Sequence, residues 1–169
     1  MSQGDILLGS GIFSIVTTSG ATAIEFLARG GSFHVEREFR VIAADGDRGP
    51  VQGRVRKTGE VPTLTLNLLE IPRANLPDFF PPSSLTTTAS TVWSPSAALS
   101  TGDYQFQAIF TGSRLDGVAV QIALSNAINM EPLDMALVDK EEVVPKVVFT
   151  GCYTSSDRTT PPWAVTYTS

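Results

Sequence analysis

Apolar and polar residues alternate with a period of two along most of this chain, and that period predicts strands rather than helices. In "SFHVEREFRVIA" (32–43), Phe33, Val35, Phe39 and Val41 fall on one face with Arg37 among them; His34, Glu36, Glu38 and Arg40 fall on the other. In "VPTLTLNLLEI" (61–71), Leu64, Leu66 and Leu68 face one way, and Thr63, Thr65 and Asn67 the other. "YQFQAIF" (104–110) sets Tyr104, Phe106, Ala108 and Phe110 against Gln105 and Gln107. "VAVQIALSNAIN" (118–129) points Val118, Val120, Ile122 and Leu124 inward, and Ala119, Gln121, Ala123 and Ser125 outward. "IFSIVTT" (12–18) and "VVPKVVFTGCY" (143–153) are rich in β-branched residues and read as two further strands.

The segments between them have their own character. Residues 1–11 form a glycine-spaced arm carrying Ile6, Leu7 and Leu8. Residues 45–60 form a charged insert punctuated by Gly46, Gly49, Pro50, Gly53 and Gly59. "ANLPDFF" (74–80) predicts one short helical turn, stopped by Pro81 and Pro82. Residues 83–103 are Ser/Thr-rich; a structureless loop of about 20 residues is unusual, so at least one strand is expected there. Residues 154–169 are a Thr/Pro tail ending "PPWAVTYTS". The expected fold is all-β and mostly antiparallel, a sandwich or barrel of about seven to nine strands with one short helix. It is expected to be a single domain over 1–169, with an N-terminal arm 1–11, a long hairpin loop 45–60 and a C-terminal arm 154–169.

Each of the clearest strands opposes a bulky apolar face to a face of small or polar side chains. Such a second face is either washed by solvent or lines a wet cavity. Charge sharpens this picture. Only 17% of the 169 residues are charged and the net charge is −5. The calculated pI is 4.8. An acidic chain without a basic stripe does not grip nucleic acid by its phosphates. The single cysteine, Cys152, excludes an intrachain disulfide. No run reaches the ~20 apolar residues of a membrane helix, and "MSQGDILLGSG" lacks the basic start and apolar core of a signal peptide. An intracellular soluble protein is the expectation.

Catalytic chemistry finds little to work with. There is no G-x-S-x-G, and the single histidine, His34, sits within a strand. "DGDRGP" (45–50) begins like a calcium loop but has Pro50 and Arg56 where that loop needs Gly and Glu. "GSGIFS" (9–14) lacks the spacing of a phosphate loop. Cys152 lies among strand residues with no base nearby and reads as a structural thiol. The carboxylate pairs Glu36/Glu38 and Glu141/Glu142 read as solvated surface rather than as a glycosidase pair. Neither an enzyme nor a cofactor or metal is expected. Function is expected to lie in surfaces.

The order of several segments resembles the major tail tube protein of long, non-contractile-tailed (siphovirus-type) bacteriophages and related phage-like particles. The segments are "GDILLGSGIFSI", "DGDRGPVQGRVRKTGEVPTLTLNLLEI" (45–71), "IALSNAINMEPLDMALVDKEEVVPKVVFTGCY" and the closing "TTPPWAV". The likeness spans roughly residues 5–71 and 104–166. It implies a small β-sandwich with one helix, whose strands join an inter-subunit β-barrel. Six copies would form a ring, rings would stack into a tube, and double-stranded DNA would pass through without specific binding. Implied partners are further copies of the chain and the tape-measure, tail-terminator and distal tail proteins. The implied location is the virion tail, assembled in the host cytoplasm, with no membrane insertion by this chain.

About 24 strands at ~4.8 Å spacing would close a barrel near 40 Å across. On this reading the lumen is lined by Glu36, Glu38, Arg40, Thr63, Thr65, Asn67, Gln105, Gln107, Ala119, Gln121, Ala123 and Ser125. Contacts between rings and subunits would come from Ile6, Leu7, Leu8, Asp45, Asp47, Arg48, Arg54, Arg56, Lys57, Glu60, Trp163 and Val165. The alternative is a carbohydrate- or receptor-binding β-sandwich module of a phage tail, using Trp93, Trp163 and Tyr104 as stacking platforms.

Overall fold

A computed structural model of the chain describes residues 7–17, 23–68, 73–114, 117–133 and 145–168. These residues form nine strands and one short helix: β1 (Leu7–Val16), β2 (Ala23–Val41), β3 (Val55–Leu68), α1 (Leu76–Phe79), β4 (Ser83–Thr87), β5 (Thr91–Pro95), β6 (Gln105–Arg114), β7 (Ala119–Asn129), β8 (Lys146–Gly151) and β9 (Trp163–Thr168). All of the strand pairings are antiparallel. The main sheet runs β6-β1-β2-β3-β8-β7-β9, and β6 pairs β7 as well. This is a β-sandwich. One layer is β1-β6-β7-β9 and the other is β2-β3-β8. β1 pairs β2 at one side, and at the other the last three residues of β7 pair β8.

Alternation builds the core between the layers. Leu64, Leu66 and Leu68 of β3 and Val147 and Phe149 of β8 meet Phe13 and Ile15 of β1, Ala108 and Phe110 of β6, and Leu124 of β7; all are buried. Helix α1 closes one end of this core. Its Phe79 ring lies 6.3 Å from Phe13 and 5.9 Å from Phe149, and Phe13 lies 5.4 Å from Phe149. Asn129 Nδ2 donates to the Phe79 carbonyl at 2.8 Å, which satisfies a buried amide. Gly11 and Gly31 sit where a Cβ would collide with the carbonyl oxygens of Thr111 and Thr65, so the backbones approach closely there.

The Ser/Thr-rich stretch holds a two-stranded sheet, β4-β5. Its Trp93 packs on Phe80, with ring centroids 5.9 Å apart. Two expected arms are in part strands. β1 begins at Leu7, which pairs Arg114, so Leu7 and Leu8 belong to the sheet. Ile6 lies outside the described residues, as do Glu141 and Glu142. The C-terminal segment holds β9, paired along β7 from Leu124↔Trp163 to Ala119↔Thr168.

The inward–outward assignment of β6 breaks at its start. Phe106, expected inside, is 54% exposed, and Gln105, expected on the wet face, is 3% exposed. Gln105 and Ala127 are paired and both buried. The cause lies opposite, at Asn126, whose φ is +49°. A left-handed residue inside a strand turns the pleat over, and Asn adopts it at less cost than most residues. At this point β7 exchanges one neighbour for another. Ser125 N donates to the Pro162 carbonyl at 2.9 Å, Asn126 Nδ2 donates to the Cys152 carbonyl at 3.3 Å, and the strand beside β7 changes from β9 to β8. The buried Gln105 Nε2 donates to the carbonyl and to Oδ1 of Asp78 at 3.3 and 3.4 Å. It thereby ties β6 to α1 rather than facing solvent.

Candidate functional site

The outward faces of the two layers differ in charge. On the β1-β6-β7-β9 layer, register aligns Thr111, Gln121 and Thr166 across three strands, and Ser14, Ile109, Ala123 and Ala164 across four. Gln107 stands beside Ser125, and Ile12 beside Thr111. None of these outward side chains is charged. On the other layer, Thr65 stands between Ser32 and Val148, Thr63 between His34 and Thr150, and Asn67 beside Lys146. The core separates the two faces, so they point in opposite directions.

The twelve residues expected to line one channel are therefore not brought together. Gln107, Ala119, Gln121, Ala123 and Ser125 share the uncharged face. Thr63, Thr65 and Asn67 lie on the opposite one. Glu36, Glu38 and Arg40 lie further out, on the exposed end of β2. Gln105 is in the interior. Period two tells which residues share a face, but not which way each layer points.

That exposed end is the second candidate surface. β2 and β3 stay paired from Phe33↔Leu64 out to Val41↔Val55, well past the last β8 partner at Thr63. The result is a projecting two-stranded ribbon. The hairpin loop is 42–54 rather than 45–60, because Val55–Glu60 are strand. A bulge between Glu38 and Phe39 leaves Thr58 without a partner in the register and turns Lys57 to the side of Glu60. The loop is tied internally. Asp47 Oδ2 accepts from Ala44 N at 2.8 Å and from Arg54 Nη1 at 2.6 Å, and Ile42 N donates to the Arg54 carbonyl at 2.9 Å. Gly46 and Gly53 supply the positive φ values of 89° and 84°. Asp47 and Arg54, expected to reach another subunit, satisfy each other; Asp45, Arg48 and Arg56 are exposed.

At the ribbon's root, Glu60 gathers partners that sequence reasoning did not connect. Its side chain is 2% exposed. Oε1 accepts from Trp163 Nε1 at 2.6 Å, and Oε2 meets Lys57 Nζ at 3.1 Å and Arg37 Nε at 3.2 Å. The Arg37 guanidinium lies 6.0 Å from the Trp163 ring centroid, and that ring packs 5.5 Å from Phe33. Glu60 and Trp163, assigned to contacts with other copies, are thus spent on each other, latching β9 to β2 and β3. Val165 of β9 remains exposed.

The Trp163 hydrogen bond holds the Glu60 carboxyl below its ordinary value of 4.5; burial works against it, and Lys57 and Arg37 add to the lowering. A lowered folded-state value means that the latch stabilises fully above pH 4.5 and is lost as pH falls through the folded-state value. An acid titration of Trp163 fluorescence, in a Trp93→Phe background, is expected to show a transition below pH 4.5. Glu60→Gln should remove that transition and lower stability at neutral pH by about 1–2 kcal/mol, since Arg37 and Lys57 are half-exposed and rehydrate when released. An unchanged transition in Glu60→Gln would assign it to another carboxylate.

Both tryptophans of the carbohydrate reading are engaged within the chain. Trp93 Nε1 donates to Ser83 Oγ at 2.8 Å beside Phe80, and Trp163 is held at the Glu60 latch. Burial pushes the half-buried Cys152 thiol up. Among the described residues, no three His, Cys, Asp or Glu side chains cluster to hold a metal ion, and no helix is long and apolar enough to cross a membrane. Comparison of the chain with protein-family models and with curated proteins finds no match to either.

Proposed function

We propose that this chain is the repeating subunit of a phage-type tail tube, a structural virion protein whose stacked hexameric rings enclose a channel for double-stranded DNA. The observation that carries this reading is the uncharged outward face of β1-β6-β7-β9. Four neighbouring strands per subunit, in six copies, give the roughly 24 strands of a barrel near 40 Å across. A wall of Thr, Ser, Gln, Ala and Ile offers a passing duplex no cation to recruit its phosphates, so no counterions are released and no salt-dependent grip develops. The lumen residues on this reading are Gln107, Ala119, Gln121, Ala123 and Ser125, joined by Ser14, Ile109, Thr111, Ala164 and Thr166. Glu36, Glu38, Arg40, Thr63, Thr65 and Asn67 belong to the outside.

The all-β sandwich with one short helix is the fold that the resemblance implies, which supports the same reading. So does the projecting ribbon, since an isolated subunit gains nothing from an apolar hairpin held in water. Negative-stain electron microscopy of the purified protein across a concentration series tests it. Hollow tubes or rings with a central channel are expected. Monomers at every concentration, also after addition of the distal tail proteins that would seed a tube, overturn it.

A further inference from the structure

We infer that the cleft between the edge of β3 and the loop 152–160 binds an acidic sugar, a polyhydroxy ring that carries a phosphate or a carboxylate. The inference stands on this cleft alone and holds whether or not copies of the chain build a tube.

The cleft exists because two neighbouring strands end at different places. β8 gives β3 its last partner at Thr63↔Thr150, while β3 extends past that pair to Val55. After Gly151 the chain leaves the sheet and returns to β9 through an irregular loop. Between this loop and the β3 edge lies an open cleft of about 710 Å³. Lys57, Thr58 and Glu60 line one wall, and Tyr153, Ser155 and Arg158 the other. Small-molecule sites span roughly 300–1,000 Å³, so one or two sugar rings fit. The loop is held from within. Asp157 Oδ1 accepts from Thr159 N at 2.9 Å, Thr159 Oγ1 at 2.8 Å and Thr160 N at 3.1 Å. Thr154 Oγ1 accepts from Asp157 N at 3.0 Å and donates to the Asp157 carbonyl at 3.2 Å. The wall that carries Arg158 is thereby formed before any ligand arrives, which lowers the cost of binding.

Charge decides what the cleft takes. Three carboxylates lie in or near it. Glu60 is spent on Trp163, Lys57 and Arg37. Asp157 is spent on its own loop. Glu38 lies over Gly59 from β2 and does not line the cleft. Arg158 is exposed and, among the described residues, forms no ion pair. Lys57 is half-exposed, and an ammonium has three donors, so it can serve Glu60 and a ligand together. In a chain of net charge −5, these two cations select an oxyanion, which a guanidinium fork holds through two parallel hydrogen bonds. A single uncommitted guanidinium is too little charge to hold a nucleic-acid backbone.

Hydroxyls decide the rest of the ligand. Those of Thr58, Tyr153 and Ser155 make no hydrogen bond to any described residue. Each can donate and accept, as the hydroxyls of a sugar do. The half-buried Tyr153 ring supplies an apolar wall for the C–H face of the sugar.

Ligand-observed saturation-transfer NMR on the full chain tests this, since it reads monomers and large assemblies alike. The probes are glucose 6-phosphate, glucuronate, glucose and inorganic phosphate. Saturation transfer to at least one of the two acidic sugars is expected, with weaker transfer to glucose and a loss of binding as salt rises. Arg158→Ala should weaken the acidic sugar about tenfold or more. Lys146→Ala, which removes the same charge at the far end of β8, should leave it unchanged. Tyr153→Phe should weaken it less than Arg158→Ala, because only one hydroxyl is lost. No transfer to either acidic sugar overturns the inference. So does equal binding of glucose, which would make the oxyanion irrelevant. Displacement by inorganic phosphate at the acidic sugar's own affinity would show an adventitious ion only. Unchanged binding in Arg158→Ala would place the ligand elsewhere and overturn the assignment.

Discussion

Phe149→Ala is expected to lower the unfolding free energy by about 3–5 kcal/mol, a large share of the roughly 5–15 kcal/mol that holds a domain together. Phe149 is fully buried. It sits on β8, which pairs β3 on one side and the end of β7 on the other. Its ring contacts Phe13 of β1 at 5.4 Å and Phe79 of α1 at 5.9 Å. Truncation therefore opens a cavity where both layers and the helix converge. At about 2–4 °C per kcal/mol for a chain of this size, the melting temperature should fall by roughly 10 °C. Val148→Ala, one residue away on the outward face, should cost under about 1 kcal/mol. Urea denaturation of both variants checks the contrast. A loss below 1 kcal/mol at Phe149, or an equal loss at Val148, would mean that β8 does not face the core as described.

That contrast between neighbours was legible in the sequence wherever alternation ran unbroken. Leu64, Leu66 and Leu68 against Thr63, Thr65 and Asn67 is the clearest instance, and the observed burial follows it residue by residue. The all-β class followed from the same alternation, the short helical turn from "ANLPDFF" stopped by Pro81 and Pro82, and the expectation of at least one strand within 83–103 from the length of an otherwise structureless loop. What failed to show was anything depending on contacts between distant residues or on a single backbone angle. The reversal at Gln105 and Phe106 arises from a positive φ at Asn126 on another strand, and no period in "YQFQAIF" announces it. Phe39 and Val41 were assigned to the correct face, but the pattern could not show that the covering layer ends before them. The Trp163–Glu60 bond links residues 103 apart in sequence. One signal was available: a glutamate three residues after Lys57 on a strand with an apolar face, and a tryptophan in a tail rich in Thr, Ser and Pro, are both residues that seek partners when buried.

The division of the polar residues into two faces leads to the second large expected effect. Gln121 lies at the centre of the uncharged face, flanked by Thr111 and Thr166, whereas Thr63 lies on the opposite layer beside His34 and Thr150. Gln121→Lys places one cation per copy on the proposed channel wall, about six per ring. Such a ring contacts several phosphates at once, and affinity built this way changes by roughly 10³–10⁵ between 50 and 200 mM salt for 6–10 contacts. Tubes of Gln121→Lys are thus expected to retain a short duplex at low salt, to shield it from nuclease and to release it as salt rises. Parent tubes should retain none. Thr63→Lys adds the same charge to the same fold but on the outer layer, so any duplex it binds should stay open to nuclease. Shielding by Thr63→Lys and none by Gln121→Lys would place the channel on β2-β3-β8 and reverse the subunit in the wall. Because the two substitutions alter net charge equally, a difference between them reports which face is enclosed rather than how acidic the protein is.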